Sequence, residues 1–149
     1  MKNKKTAGGI VIKKISSVWN VLVITDMSGN KTFAKGLIEN GEDYKNTAIR
    51  EVAEETGVTG LEFIKNLREI RYSYRKNGLI EKSVKYILFK TDFNGHLLPQ
   101  TEEGVKEAIW IPLEQAIDQI GYRKSNIPVL KETIKYLSNK HGTISGKGH

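Results

Sequence analysis

The chain has 149 residues, no cysteine and a formal net charge of +7, from 24 lysines and arginines against 17 acids. This length suits one domain with its own core. The lack of cysteine excludes a disulfide framework and a thiolate metal site, and makes a reducing cytoplasm the expected compartment. The histidines, His96, His141 and His149, are scattered without ligand spacing. The apolar run over 7–12 is cut by Lys13 and Lys14 before it reaches the length of a signal-peptide core or a membrane span, so no membrane partner is expected.

Lys2, Lys4 and Lys5 supply three of the net charges from residues 1–6, expected to be a flexible basic tail, which leaves +4 for the rest. A field of that sign suits a polyanionic ligand, a nucleotide polyphosphate or RNA. Residues 7–15 and 18–25 are β-branched apolar runs that read as strands, and DMSGN at 26–30 is turn chemistry. A short strand over 32–34 delivers the chain to Lys35, and Gly36 and Gly41 bracket a loop. Residues 44–57 read as a helix with Gly57 at its C-cap; Ala48, Ile49, Val52, Ala53 and Thr56 share one face, with Glu51, Glu54 and Glu55 on the other. Carboxylates one turn apart repel, and a cation would remove that penalty.

Residues 61–75 and 81–91 read as strands of a hairpin about Asn77-Gly78. An odd-length connection centred on Gly78 sets Tyr74 opposite Lys82, Tyr72 opposite Val84 and Ile70 opposite Tyr86. That register gathers three tyrosines and a lysine on one face, whereas a one-residue slip would mix apolar with polar groups. A turn and loop over 92–101 lead to Glu102 and Glu103, and 108–111 is a last strand. Pro112 opens a helix to about residue 120, and Ser125 and Pro128 start another that ends near residue 142. Residues 7–141 are expected to form the single domain and 142–149 a disordered tail. Strands and helices mix without strict alternation, which predicts an α/β fold with a mixed sheet covered by helices on both faces.

Residues 36–58 form a pattern: Gly36, five residues, Glu42, seven residues, Arg50-Glu51, an aliphatic, any residue, Glu54-Glu55, any residue, Gly57 and an aliphatic. This resembles the box of the Nudix hydrolase family, with all nine fixed positions filled. The resemblance implies an α/β/α sandwich around a central mixed sheet and metal-assisted hydrolysis of a phosphoanhydride, with Mg2+ as cofactor and Mn2+ as an alternative. It makes Glu51, Glu54 and Glu55 the metal-binding carboxylates, and Arg50 and Glu42 the groups that orient them. Gly36 and Gly41 match the loop that lets backbone approach the site. The general base is expected from the helix or from the later loop, where Glu103 is the candidate and Glu102 and Glu107 are its rivals.

FAKGLIENGE and YSYRKNGLIEKSVKYILF resemble the diadenosine polyphosphate hydrolase branch, which implies substrate contacts at Lys35, Lys82 and Tyr86. Tyr74 is added as a face for a base, although tyrosines at strand spacing also serve as core. Ala34 and Leu37 depart from that branch, which usually has proline and a polar residue there. The expected substrate is a nucleoside diphosphate linked to another group, foremost a dinucleoside polyphosphate. The alternatives are pyrophosphohydrolysis of nucleoside triphosphates, oxidised nucleotides or RNA 5′ ends, or a Nudix module that binds nucleotide or RNA without turnover. The residues leave the oligomeric state open.

Overall fold

The computed structural model describes residues 2–141. Its elements run β1 (Lys2–Ile15), β2 (Val18–Asp26), β3 (Lys31–Thr32), β4 (Lys35–Leu37), α1 (Tyr44–Thr56), β5 (Glu62–Arg75), β6 (Leu79–Lys90), a 3-10 turn (Thr101–Glu103), β7 (Val105–Pro112), α2 (Leu113–Gln119) and α3 (Arg123–His141). The sheet order is β3-β2-β1-β6-β5, with β4 added to β1 and β7 to β2. β1 runs parallel to β6 from Lys2↔Ile80 to Ile12↔Lys90. Its other edge is divided, pairing antiparallel with β4 at Thr6–Gly8 and with β2 at Ile12–Ile15. That division sets β4, and with it Gly36, beside α1.

The alternation of β1 makes two cores. Ile10 and Ile12 join Val21, Val84, Tyr86 and Leu88 against Leu113, Val129, Leu130 and Leu137 of α2 and α3. Ala7 and Val11 join Ile87 and Phe89 against Ala48 and Val52 of α1 on the opposite face. Helices thus cover both faces of a mixed sheet, as the pattern of elements predicts. Burying a side chain such as Val52 contributes about 1.5–3 kcal/mol.

Several boundaries differ from the expectation; the strand expected over 32–34 is instead split into β3 and β4, which puts Lys35 and Gly36 in a strand, and β7 is longer than the expected 108–111. Residues 2–6, expected as a tail, are the start of β1; the run KNKKT has no apolar alternation to mark a strand, and it is held by parallel pairing to β6, with Thr6 also paired to β4. The hairpin loop is odd in length but centres on Asn77, so Tyr72 faces Lys82, Ile70 faces Val84 and Tyr74 faces Ile80. Asn77 takes φ 54 and Gly78 φ 113, and Lys76 N–H donates to the Gly78 carbonyl at 2.9 Å. A shift of two residues preserves every face, so the expected alternation stands while the cross-strand partners differ. α3 starts at Arg123 and places Pro128 inside the helix. The tail expected over 142–149 lies outside the described residues. No helix among the described residues is long and apolar enough to cross a membrane.

Candidate active site

α1 is held at both ends by its own sequence. Asp43 accepts from the Asn46 N–H at 2.7 Å as N-cap, and Gly57 at φ 81 turns the chain out while its N–H bonds the Ala53 carbonyl. An N-cap of this kind contributes about 1 kcal/mol. The helix does not present its acids to water as a set. Glu51 and Glu55 are 8% and 5% exposed, and only Glu54 is open. At about 100° per residue Glu55 lies within about 20° of Ala48, so the arc that packs on the sheet takes it inside. The sheet makes room at Gly36, where a Cβ would stand 2.1 Å from the Glu51 carboxyl carbon.

Arg50 organises the acids. Its Nε and Nη2 clasp Glu42 at 2.7 and 3.0 Å, its Nη1 donates to Glu51 at 2.8 Å and to Glu54 at 3.2 Å, and Nη2 also reaches the Leu37 carbonyl at 3.0 Å. Glu42 further accepts from the Glu39 N–H and the Thr47 hydroxyl. Gly41 precedes it at φ 85, a turn conformation that favours glycine. The Arg50 bonds hold the Glu42 carboxyl down at about 2, against an ordinary 4.5. Such a depressed group stabilises the fold fully above its unfolded value and loses that contribution as pH falls towards 2. Glu42→Gln is therefore expected to lower Tm at pH 7 and to flatten the loss of Tm between about pH 5 and 2, as thermal scans at stepped pH would measure. A mutant curve parallel to the wild type would refute the clasp.

The loop after β6 completes the site. Leu98 packs on Gly57 and its N–H bonds the Thr56 carbonyl, while Gln100 N–H bonds the Glu55 carbonyl. These tie the 3-10 turn to the end of α1, and one carboxylate oxygen each of Glu51, Glu54 and Glu103 falls within 4.8 Å of the others. Of the three candidate acids, Glu103 is the one in this cluster; Glu107 lies in β7 and instead pairs with Lys31 at 3.6 Å. Glu55 lies beside Glu51 outside that trio. Burial pushes its carboxyl up to about 9, the adjoining Glu51 adds to the rise and Lys35 opposes it. A donor set of carboxylate oxygens without nitrogen or sulfur fits a hard divalent cation such as Mg2+, or Mn2+.

A cleft of about 560 Å³ on the α3 side of the sheet contains Lys35, Lys82, Tyr72, Tyr86, Tyr122 and Asn126 among its lining. Burial, then Lys82, hold the Lys35 ammonium below its ordinary range, with Glu55 and Asp26 opposing them. The cleft places the two tyrosines of the expected substrate contacts differently. Tyr86 is 2% exposed, a core residue whose hydroxyl donates to Asn126 at 3.3 Å, so it forms floor and offers no free face. Tyr74 lies next to Tyr72, 6.3 Å between ring centroids, but does not line the cleft. Tyr72, opposite Lys82 in the register, lines the cleft instead. Tyr122, Arg123, Lys124 and Asn126 lie outside the expected site residues; their signal in the sequence is the run GYRKSN, basic and aromatic, which leads into the first turn of α3.

Residues 5–133 match the family model described as the NUDIX domain. The chain belongs to the Nudix family. It is 36% identical over 124 residues to nucleoside diphosphate-linked moiety X motif 6 of Mus musculus, covering 81% of this chain and 38% of that protein. It is 30% identical to Nudix hydrolase 7 of Arabidopsis thaliana, covering 89% and 45%. The Nudix chain thus spans less than half the length of these curated relatives. Among solved structures it resembles a C. elegans Ap4A hydrolase binary complex at 25% identity and TM-score 0.74, covering 91% of this chain and 98% of that one.

Proposed function

We propose that this Nudix chain is a hydrolase that cleaves a phosphoanhydride in a nucleoside diphosphate linked to another group, with a dinucleoside polyphosphate as the substrate class. The observation that carries the reading is the junction of the two sites. Lys35 lines the cleft and also interacts electrostatically with Glu55, so a phosphate chain held at Lys35 and Lys82 would lie toward the carboxylates. Resemblance to the C. elegans Ap4A hydrolase supports the substrate class.

Glu51 and Glu54 would hold Mg2+, with Glu55 beside them and Glu103 converging on the same point. When bound there, Mg2+ neutralises phosphate charge and lowers the pKa of water. The side chains do the rest. Arg50 keeps Glu51 and Glu54 in place and compensates their charge. Lys35 and Lys82 supply point charges for phosphate oxygens, and Tyr72 and Tyr122 offer exposed rings for a base. Glu103 serves as general base, its carboxylate taking a proton from water.

Incubation with Mg2+ and a substrate panel tests the reading by its products. A dinucleoside polyphosphate yields two nucleotides; a triphosphate attacked as a pyrophosphohydrolase substrate yields a monophosphate and pyrophosphate. Release of pyrophosphate from triphosphates or RNA 5′ ends as the faster reaction would replace the proposal, and tight binding without any product would make the chain a sensor. Lys82→Ala is expected to raise KM for the preferred substrate about 10–100-fold, the loss of a charged hydrogen bond of about 1.5–3 kcal/mol. An unchanged KM would remove Lys82 from the phosphate site.

A further inference from the structure

Among the described residues, the cleft lining includes one acid. Asp26 stands there among Lys35, Lys82, Arg123 and Lys124, where a carboxylate works against binding of any phosphate. Its turn does not explain the charge. Asp26 Oδ1 accepts from the Ser28 and Asn30 N–H groups, both at 3.0 Å, and an asparagine carbonyl would do the same. Oδ2 has a different partner: it accepts from the Tyr122 hydroxyl at 2.6 Å, the length of a charge-assisted bond. Asn30 Nδ2 donates to the same hydroxyl at 3.3 Å.

Tyr122 is a residue that needs holding. Its φ is 46, in the left-handed region that disfavours a bulky side chain, and it is 49% exposed, so apolar packing does not fix the ring. Backbone strain of this kind persists only where the surroundings over-determine it. Here they do. Gly121 N–H bonds the Lys31 carbonyl at 2.7 Å, and the Tyr122 carbonyl accepts from Ser125 and Asn126 at 3.0 and 2.9 Å. With backbone tied to β3 and α3, and hydroxyl tied to Asp26, the ring stands with Lys35 Nζ 6.0 Å from its centroid. Burial raises the Asp26 carboxyl, but the bonds from Tyr122, Asn30 and Ser28 outweigh it and leave the group below its ordinary range.

We infer that Asp26 is a positioning residue for nucleotide binding: by holding the Tyr122 hydroxyl it fixes that ring as a wall of the cleft beside Lys35, against which a nucleobase stacks. The inference rests on the nucleotide reading of the cleft. It gives Asp26 opposite effects on the two halves of a nucleotide, favourable to the base through Tyr122 and unfavourable to phosphate through its charge.

The test compares ADP with inorganic tripolyphosphate, both by calorimetry, across the wild type, Asp26→Ala, Asp26→Asn, Tyr122→Phe and the Asp26→Ala/Tyr122→Phe double variant. Asp26→Ala and Tyr122→Phe are expected to weaken ADP about five- to twenty-fold, with the change in turnover falling on KM rather than kcat. The double variant should be no weaker than the single ones, because both remove one bond. Asp26→Asn keeps the Oδ1 turn acceptor but presents an NH2 donor where Oδ2 accepts the Tyr122 hydroxyl, so it should weaken ADP about as much as Asp26→Ala. Tripolyphosphate should bind both Asp26 variants as tightly as the wild type or more tightly. Amide exchange over residues 122–126 should quicken in Asp26→Ala. ADP binding unchanged in Asp26→Ala, or ADP and tripolyphosphate weakened together, overturns the role of Asp26. A wild type that binds tripolyphosphate but not ADP instead overturns the nucleotide reading itself.

Discussion

Replacing Glu54 with glutamine is expected to lower hydrolysis by about 10²–10⁴-fold, the scale of a positioned catalytic group, while leaving the fold intact. The two effects separate because Glu54 is the exposed acid of α1. Its side chain is 42% exposed and its 3.2 Å contact with Arg50 is an i,i+4 surface pair, worth only a few tenths of a kcal/mol. What the variant loses is one of three charged oxygens that converge with Glu51 and Glu103. The same logic gives a readout free of substrate. A ligand that binds only the folded state at a hundred times its Kd stabilises by about 2.7 kcal/mol, so Mg2+ should raise the Tm of the wild type by several degrees and that of Glu54→Gln much less. Equal Mg2+ shifts and activity within twofold of wild type would remove Glu54 from the metal site.

The parts of this site that were legible in sequence are those whose partners are near in the chain. Arg50 meets Glu42, Glu51 and Glu54 within one loop and two turns of helix, so spacing alone brings them together. Asp43 and Gly57 bound the helix by local chemistry. The burial of Glu55 was written in the helical period too, since it falls in the same arc as Ala48, but its charge argued for the solvent side. Other features had no local sign. Asp26 and Tyr122 are 96 residues apart and meet because the α2–α3 turn docks on the β2–β3 turn. β1 could be read from residue 7 onward by its apolar alternation, whereas Lys2 to Thr6 gain their structure from a parallel partner more than seventy residues away. Tyr86 and Tyr72 share a face in any register of the right parity. Which of them is floor and which is wall depends on α3, where Asn126 closes over the Tyr86 hydroxyl.

Gly36→Ala is expected to reduce activity as severely as loss of a metal ligand, although it removes no functional group. The new Cβ would stand 2.1 Å from the Glu51 carboxyl carbon and 2.2 and 2.4 Å from its oxygens, distances at which one partner has to move. β4 cannot yield easily, because Ala7↔Gly36 lies inside its pairing with β1, and the Arg50 guanidinium is already shared with Glu42, Glu54 and the Leu37 carbonyl. Glu51 therefore turns away, breaks its 2.8 Å bond to Arg50 and leaves the cluster with Glu54 and Glu103. Forcing a methyl into a packed interior costs about 1–3 kcal/mol, so Tm should fall together with activity. Two further measurements distinguish a lost site from a lost fold. Far-UV circular dichroism of the variant at 20–25 °C should match the wild type, and the Mg2+-dependent rise in Tm should be largely abolished. A Gly36→Ala protein that keeps wild-type turnover and its Mg2+ shift would show that Glu51 does not need the space beside β4, and with it that the carboxylate cluster does not form the metal site.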